Sequence, residues 1–297
     1  MSLTEDYADR EASRRISASD FEVIRPVQRG QQSSRKGELV IGRKSDTGRF
    51  YAIKVFRKAS VGADQRGSAY ARREQEALRL VTERAVPFAV QLYWSFQDDK
   101  ALYLIMNYVA SDLRTFVECY GVLALSDAIV LASQLVQGLT ALHTVGIVHC
   151  NINPSGLFVE NGYLVIADFG NAHFAVERLE QTARREAKGQ WNREIEPYQA
   201  PELLLEWSPH VASDWWSFGL VLCYMLAAQH PLLEPHELED VHPAVLASKL
   251  LHGELPRWIV PGDESSFANI LRQCLQRNPA LRLSDEGVKA HPFFADV

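Results

Sequence analysis

The stretch VHCNINPSGLFVENGYLVIADFG, residues 148–170, brings His149, Asn151, Asn153, Gly156 and Asp168 into one segment. Asn151 and Asn153 can orient a hydroxyl through their oxygens, but an amide cannot accept its proton at neutral pH. Gly156 offers no side-chain ligand at all. Upstream, Lys54 lies among β-forming residues in YAIKVF, with Glu74 and Glu76 following in REQEALRL. Two residues apart on a helix, these glutamates cannot both face one surface. VQRGQQSSRKGELV holds Gly30 and Gly37, and backbone amides approach phosphates closely only where side chains are absent. Cys119, Cys150, Cys223 and Cys274 lie far apart, with no Cys-x-x-Cys pair or Cys/His cluster of metal-site spacing.

These residues need elements to position them. FEVIRPV, GELVIGR, RFYAIKVF, AVQLYWSFQ and ALYLIMNYV read as short strands separated by turn signals such as SDTG. GSAYARREQEALRLVTER reads as a helix, with Ala77, Leu78 and Val81 at helical spacing. The first hundred residues thus predict a small, mostly antiparallel sheet carrying one helix. Beyond NYVASDL the chain becomes mainly helical. LSDAIVLASQLVQGLTALHTVG has Ser126 and Asp127 as cap candidates and Ile129, Ala132, Val136 and Leu139 on one stripe. LFVE and YLVIAD read as strands joined through Asn161-Gly162, a hairpin signal. The apolar run from Trp215 is short for a membrane span and fits a buried helix.

The 297 residues are 47% hydrophobic and 23% charged, ordinary for a globular chain and enough for two modest domains or one two-lobed domain. A net charge of −6 gives no reason to expect nucleic acid or an anionic membrane as partner. The charged residues 1–20 read as a disordered extension without the apolar stretch of a signal peptide. In it, Arg14-Arg15-x-Ser17 matches the pattern of basophilic kinase substrates, and phosphate there is expected to order the tail. The expected location is cytoplasmic or nuclear.

The ordered set AIK, helix glutamate, H…N…ADFG and QAPE resembles the eukaryotic protein kinase family, from Phe21 to Phe294; SDWWSFG and HPFF resemble its AGC branch. The resemblance implies an α+β, two-lobed fold: a β-rich lobe with one helix at 21–106, a hinge at 107–112 and a mainly helical lobe at 112–297. Lys54 then corresponds to the lysine that grips the α- and β-phosphates of ATP, Glu74 to its helix partner and Asp168 to the ligand of Mg²⁺. Leu39 and Ala52 would cover the adenine, Phe158 would lie beneath it, Met106 would close the back, and Asp112 would meet a ribose hydroxyl. Glu202 with Arg282 matches a buried ion pair, and Asp214 an aspartate that organises the catalytic loop.

That loop departs from the family's H-R-D-L-K-P-x-N. Asn151 stands for the catalytic aspartate, Asn153 for the lysine facing the γ-phosphate, and Gly156 for the asparagine on the second Mg²⁺. A general base is worth roughly 10²–10⁴-fold and one charge-stabilising donor about 10²–10³-fold. Cys150 replaces the arginine that receives an activation-loop phosphate, Thr182 is the one hydroxyl residue between Gly170 and Tyr198, and Ile195 replaces a threonine. Arg35 or Lys36 is a candidate to hold phosphate in place of the glycine-loop backbone amides. The resemblance therefore implies a pseudokinase that binds ATP weakly with Mg²⁺, transfers little or no phosphate and acts on a protein partner such as an active kinase. The alternatives are a weak or unconventional Ser/Thr kinase and a nucleotide-free interaction module.

Overall fold

A computed structural model describes residues 16–27, 36–61, 65–174, 195–238, 241–257, 259 and 265–295. Strands β1 (Phe21–Pro26), β2 (Glu38–Lys44), β3 (Phe50–Arg57), β4 (Leu92–Gln97) and β5 (Ala101–Asn107) form one antiparallel sheet in the order β1-β2-β3-β5-β4. Alternation along β3 sends Tyr51 and Ile53 to an outer aromatic cluster with Phe21, Val40 and Ile105. It sends Ala52, Lys54 and Phe56 to the opposite face. Register places Lys54 beside Leu39 on β2 and Leu104 on β5. After the short α1 (Lys58–Val61), helix α2 (Gln65–Glu83) packs the predicted Ala77, Leu78 and Val81 fully into the core. The same face carries Tyr70 and Glu74, one helical turn apart.

Past the hinge, β6 (Ser111–Asp112) pairs with the β8 (Leu157–Glu160)–β9 (Tyr163–Ile166) hairpin, and β7 (Ile147–Val148) pairs with β10 (His173–Phe174). Asn161 and Gly162 have φ of 53° and 78°, both positive as a two-residue hairpin turn of this type requires. The helices are α3 (Leu113–Tyr120), α4 (Leu125–Thr144), α5 (Pro201–Leu204), α6 (Val211–Ala227), α7 (Pro243–His252), α8 (Ser266–Cys274) and α9 (Asp285–Lys289). By length and composition α4 could cross a membrane, yet it packs Leu131, Leu135 and Leu139 into the core. The run from Trp215 is buried as α6, as predicted. The two-lobed α+β architecture is the one expected.

Two local expectations change. Helix α4 is capped by Ala124, with no side-chain bond; Ser126 and Asp127 lie inside its first turn. Ordered structure also begins before Phe21. Ile16 packs on the outer aromatic cluster, and the N–H and Oγ of Ser17 both donate to Asp20 Oδ2, at 2.8 and 3.0 Å. Phosphate on Ser17 would confront that carboxylate, while Arg14 and Arg15, expected beside the phosphate, lie outside the described residues. Residues 1–15 of the expected extension lie outside the described residues.

Candidate active site

Strand β3, helix α2 and the turn after β9 meet at three charges. Lys54 Nζ lies 2.7 Å from Glu74 Oε1 and 2.8 Å from Asp168 Oδ1. Burial alone would lower the pKa of this ammonium, but Asp168 and Glu74 outweigh it and raise it, so Lys54 stays charged. Glu76 faces outward to Arg79, which settles which glutamate pairs with Lys54. Asp168 has positive φ, 68°, and accepts a second bond on Oδ1, 2.7 Å from the hydroxyl of Tyr70. Burial, with the charges of Asp168 and Glu74, pushes the Tyr70 phenol well up, so it remains a donor. Sequence reasoning missed Tyr70, although its spacing of four from Glu74 placed it on the same helix face.

The loop 149–156 is held from below by Asp214. Its Oδ2 accepts the His149 N–H at 2.8 Å and its Oδ1 the Cys150 N–H at 2.7 Å. The organising role expected of Asp214 is therefore present. Buried His149 has a lowered pKa, chiefly from desolvation, and its Nε2 donates to the Ala167 carbonyl at 3.1 Å. Asn151 Nδ2 donates to Asp168 Oδ2 at 3.0 Å. Asn153 turns inward: Oδ1 accepts the N–H groups of Ser155 and Gly156 at 3.0 and 3.1 Å, and Nδ2 donates to the Asn151 carbonyl at 2.8 Å. It caps its own 3₁₀ turn and does not line the cavity described next.

Between the lobes lies a cavity of about 500 Å³, within the roughly 300–1,000 Å³ usual for small-molecule sites. Leu39, Ala52, Met106, Asp112, Phe158, Lys54, Glu74 and Asp168 all line it. So do Val27, Ile41, Val90, Val165 and Ala167, which the sequence did not single out. Ile41 was legible by alternation from Leu39; Val90 was not, because a bridge from Ala89 to Ile166 brings it there. The hinge residues 107–112 form one wall.

This lysine–glutamate–aspartate cluster beside an apolar cleft between a sheet lobe and a helical lobe has a counterpart in known proteins. A sequence model of the family described as "Protein kinase domain" matches residues 31–294. The chain belongs to the protein kinase family. The probable serine/threonine protein kinase IRE4 of Arabidopsis thaliana is 32% identical over 95% of this chain and 28% of its own length. Ribosomal protein S6 kinase alpha-2 of Homo sapiens is 28% identical over 97% of this chain and 37% of its own length. The kinase AtPK2/AtPK19 of Arabidopsis thaliana is 28% identical over 98% of the chain and 58% of its own length. This kinase domain thus spans between about a quarter and three-fifths of these relatives.

Several of the residues singled out from the sequence already have protein partners. Asp168, expected to ligate Mg²⁺, already accepts protein donors on both oxygens, and Gly156 supplies no ligand. Mg²⁺ does not fit this donor set as it stands. Asp112, expected at a ribose hydroxyl, caps α3 by accepting the Thr115 N–H at 2.8 Å. Lys36, a candidate for phosphate, ion-pairs instead with Glu196. A side chain at Gly37 would strike the Phe56 ring at 2.8 Å, so this glycine serves packing. Cys150 is buried with its thiol toward the Val148 carbonyl, and Ile195 packs on the core, so neither supplies the polar group that an active kinase has there. Gly30, Arg35 and Thr182 lie outside the described residues.

One further residue completes the kinase scaffold. His143 donates from Nε2 to Asp214 Oδ2 at 2.9 Å and from Nδ1 to Asp285 Oδ1 at 3.0 Å. Desolvation opposes its charge, but the two aspartates prevail and raise its pKa to about 9. An unfolded histidine titrates near pH 6.5. The folded state therefore binds this proton more tightly. The resulting stability is fully present below about pH 6.5 and is lost as pH rises through about 9. The expected contribution is about 3 kcal/mol at most. Thermal denaturation from pH 6 to 9.5 should show Tm falling across this window. His143→Gln should flatten the dependence; an unchanged slope would remove His143 as its source.

Proposed function

We propose that this kinase-family domain is a pseudokinase: it binds ATP weakly, transfers little or no phosphate, and presents its surface to a protein partner such as an active kinase. The observation that carries this reading is Asn151. At the position of the catalytic base stands an amide whose N–H₂ points to Asp168, and an amide takes up no proton at neutral pH. Asn153 adds no cation toward a phosphate, and Gly156 adds no ligand. Kinase transition states are loose and ask little of a base, so the loss of one group would leave slow turnover. Joint loss of base, cation and metal ligand removes most of the electrostatic stabilisation. The retained cavity and charged Lys54 support nucleotide binding.

The Lys54–Glu74 pair, already formed at 2.7 Å, favours a second reading, a slow Ser/Thr kinase. Two measurements decide. Purified domain with γ-labelled ATP should show no autophosphorylation above a Lys54→Ala control; clear incorporation supports the slow kinase. Titration with ATP should give an affinity around 10–100 μM, roughly 5.5–7 kcal/mol. ATP at about 100 times that constant should add some 2.7 kcal/mol of stability. No binding would leave the nucleotide-free interaction module.

A further inference from the structure

We propose that this pocket takes its nucleotide without a divalent cation, because Tyr70 and Asn151 hold the carboxylate to which a metal would bind. The inference rests on the nucleotide-binding reading above. It departs from the family's use of Mg²⁺ and concerns what Asp168 is available to do.

The donor set at Asp168 is the starting point. Oδ1 accepts Lys54 Nζ at 2.8 Å and the Tyr70 hydroxyl at 2.7 Å, and Oδ2 accepts Asn151 Nδ2 at 3.0 Å. A carboxylate offers about four lone-pair sites on its two oxygens, so protein donors occupy most of them. Mg²⁺ requires near-octahedral oxygen ligands at about 2.0–2.1 Å and is bound through one or two carboxylates together with phosphates. To bind through either oxygen it must compete with a buried donor there, the phenol on Oδ1 or the amide on Oδ2, which would lose its partner.

Both donors are aimed by packing. The Tyr70 ring fills the space over Gly170, where a Cβ would come within 1.9 Å of Tyr70 Cζ. It also stands with its ring centroid 6.2 Å from that of Phe56 and 5.2 Å from Lys54 Nζ. Swinging the hydroxyl away would empty this contact between α2 and the turn after β9. Asn151 is held on both sides, its N–H donating to His149 Nδ1 at 3.3 Å and its carbonyl accepting Asn153 Nδ2 at 2.8 Å. The neighbouring oxygens are committed elsewhere. Asn153 Oδ1 accepts two backbone N–H groups, Glu74 faces Lys54, and position 156 is glycine. The Lys54 ammonium supplies the positive charge beside Asp168.

The test is ATP affinity by calorimetry in EDTA and in millimolar MgCl₂. For wild type, the affinity in EDTA should be within about threefold of that in MgCl₂, or tighter. Tyr70→Phe with Asn151→Asp removes the phenol from Oδ1 and the amide from Oδ2, leaves Lys54 on Oδ1 and returns to the loop a second carboxylate that can share a cation with Asp168. That variant should bind ATP at least about tenfold tighter with Mg²⁺ than without. Should the double variant unfold, Tyr70→Phe alone keeps the ring on Gly170 and should shift the ratio in the same direction. Wild-type binding ten times tighter with Mg²⁺ would overturn this inference and leave the nucleotide reading standing. Binding in neither condition overturns both. A variant ratio equal to that of wild type would remove Tyr70 and Asn151 as the cause.

Discussion

A variant carrying Asn151→Asp, Asn153→Lys and Gly156→Asn is expected to transfer phosphate at least about 10²-fold more slowly than the 1–100 s⁻¹ of ordinary kinases. The repair is sterically reasonable: a Cβ at Gly156 would meet Asn153 Nδ2 at 3.4 Å and the Ala167 carbonyl at 3.5 Å, ordinary contacts. The surroundings are what fail. Asn151 Nδ2 now sits 3.0 Å from Asp168 Oδ2. A carboxylate in its place meets like charge, and one of the two is driven to hold a proton. Tyr70 still bonds Asp168. Lysine at 153 forfeits the cap on the Ser155 and Gly156 N–H groups, loosening the loop it is meant to serve. Ile195 has no hydroxyl to steady the restored aspartate, and Cys150 has no cation to anchor the activation segment. Misplacement of reacting groups by about 1 Å can reduce a rate 10²-fold. The measurement is transfer of γ-phosphate to a basic protein substrate. Turnover at about 1 s⁻¹ or faster would show that these surroundings are competent and the loop was the whole defect.

Arg282→Ala is expected to lower stability by about 3–5 kcal/mol, a fall in Tm of roughly 5–15 °C. Glu202 and Arg282 form a bidentate pair, Nη1 to Oε1 at 2.8 Å and Nη2 to Oε2 at 3.0 Å, with side chains essentially shut off from solvent. Arg282 also donates to the carbonyls of Ala212 and Gln276, at 2.6 and 2.9 Å, and its guanidinium lies 5.3 Å from the Trp216 ring centroid. Removing it strands the Glu202 charge, with the Ser213 hydroxyl still donating to it at 2.8 Å. Glu202→Leu with Arg282→Met should recover a good part of the loss, since apolar replacements of a buried pair are often neutral or stabilising. Thermal and urea denaturation measure both. A loss below about 1 kcal/mol for Arg282→Ala, the range of an exposed pair, would mean that water reaches Glu202, against its burial here.

Element order was legible from the chain because each element carries its own period. Strand alternation in YAIKVF put Lys54 and Ala52 on one face, and a step of four on α2 put Tyr70 and Glu74 on another. Asn161-Gly162 marked its hairpin by backbone preference alone. The eight cavity residues named from resemblance all reached the cavity, since they sit at fixed places on those elements. What no local pattern encoded was the partner each polar atom would take. The amide of Asn151 donates to Asp168, Lys36 crosses to Glu196, and His143 lies between Asp214 and Asp285. Periodicity assigns a side chain to a face, and a face accepts many partners. Donor and acceptor meet only when elements distant in the chain dock, as Tyr70 and Asp168 do across a separation of 98 residues. There a buried polar group must find a bond or forfeit its solvation, so the tertiary structure decided that Asp168 is a hydrogen-bond acceptor.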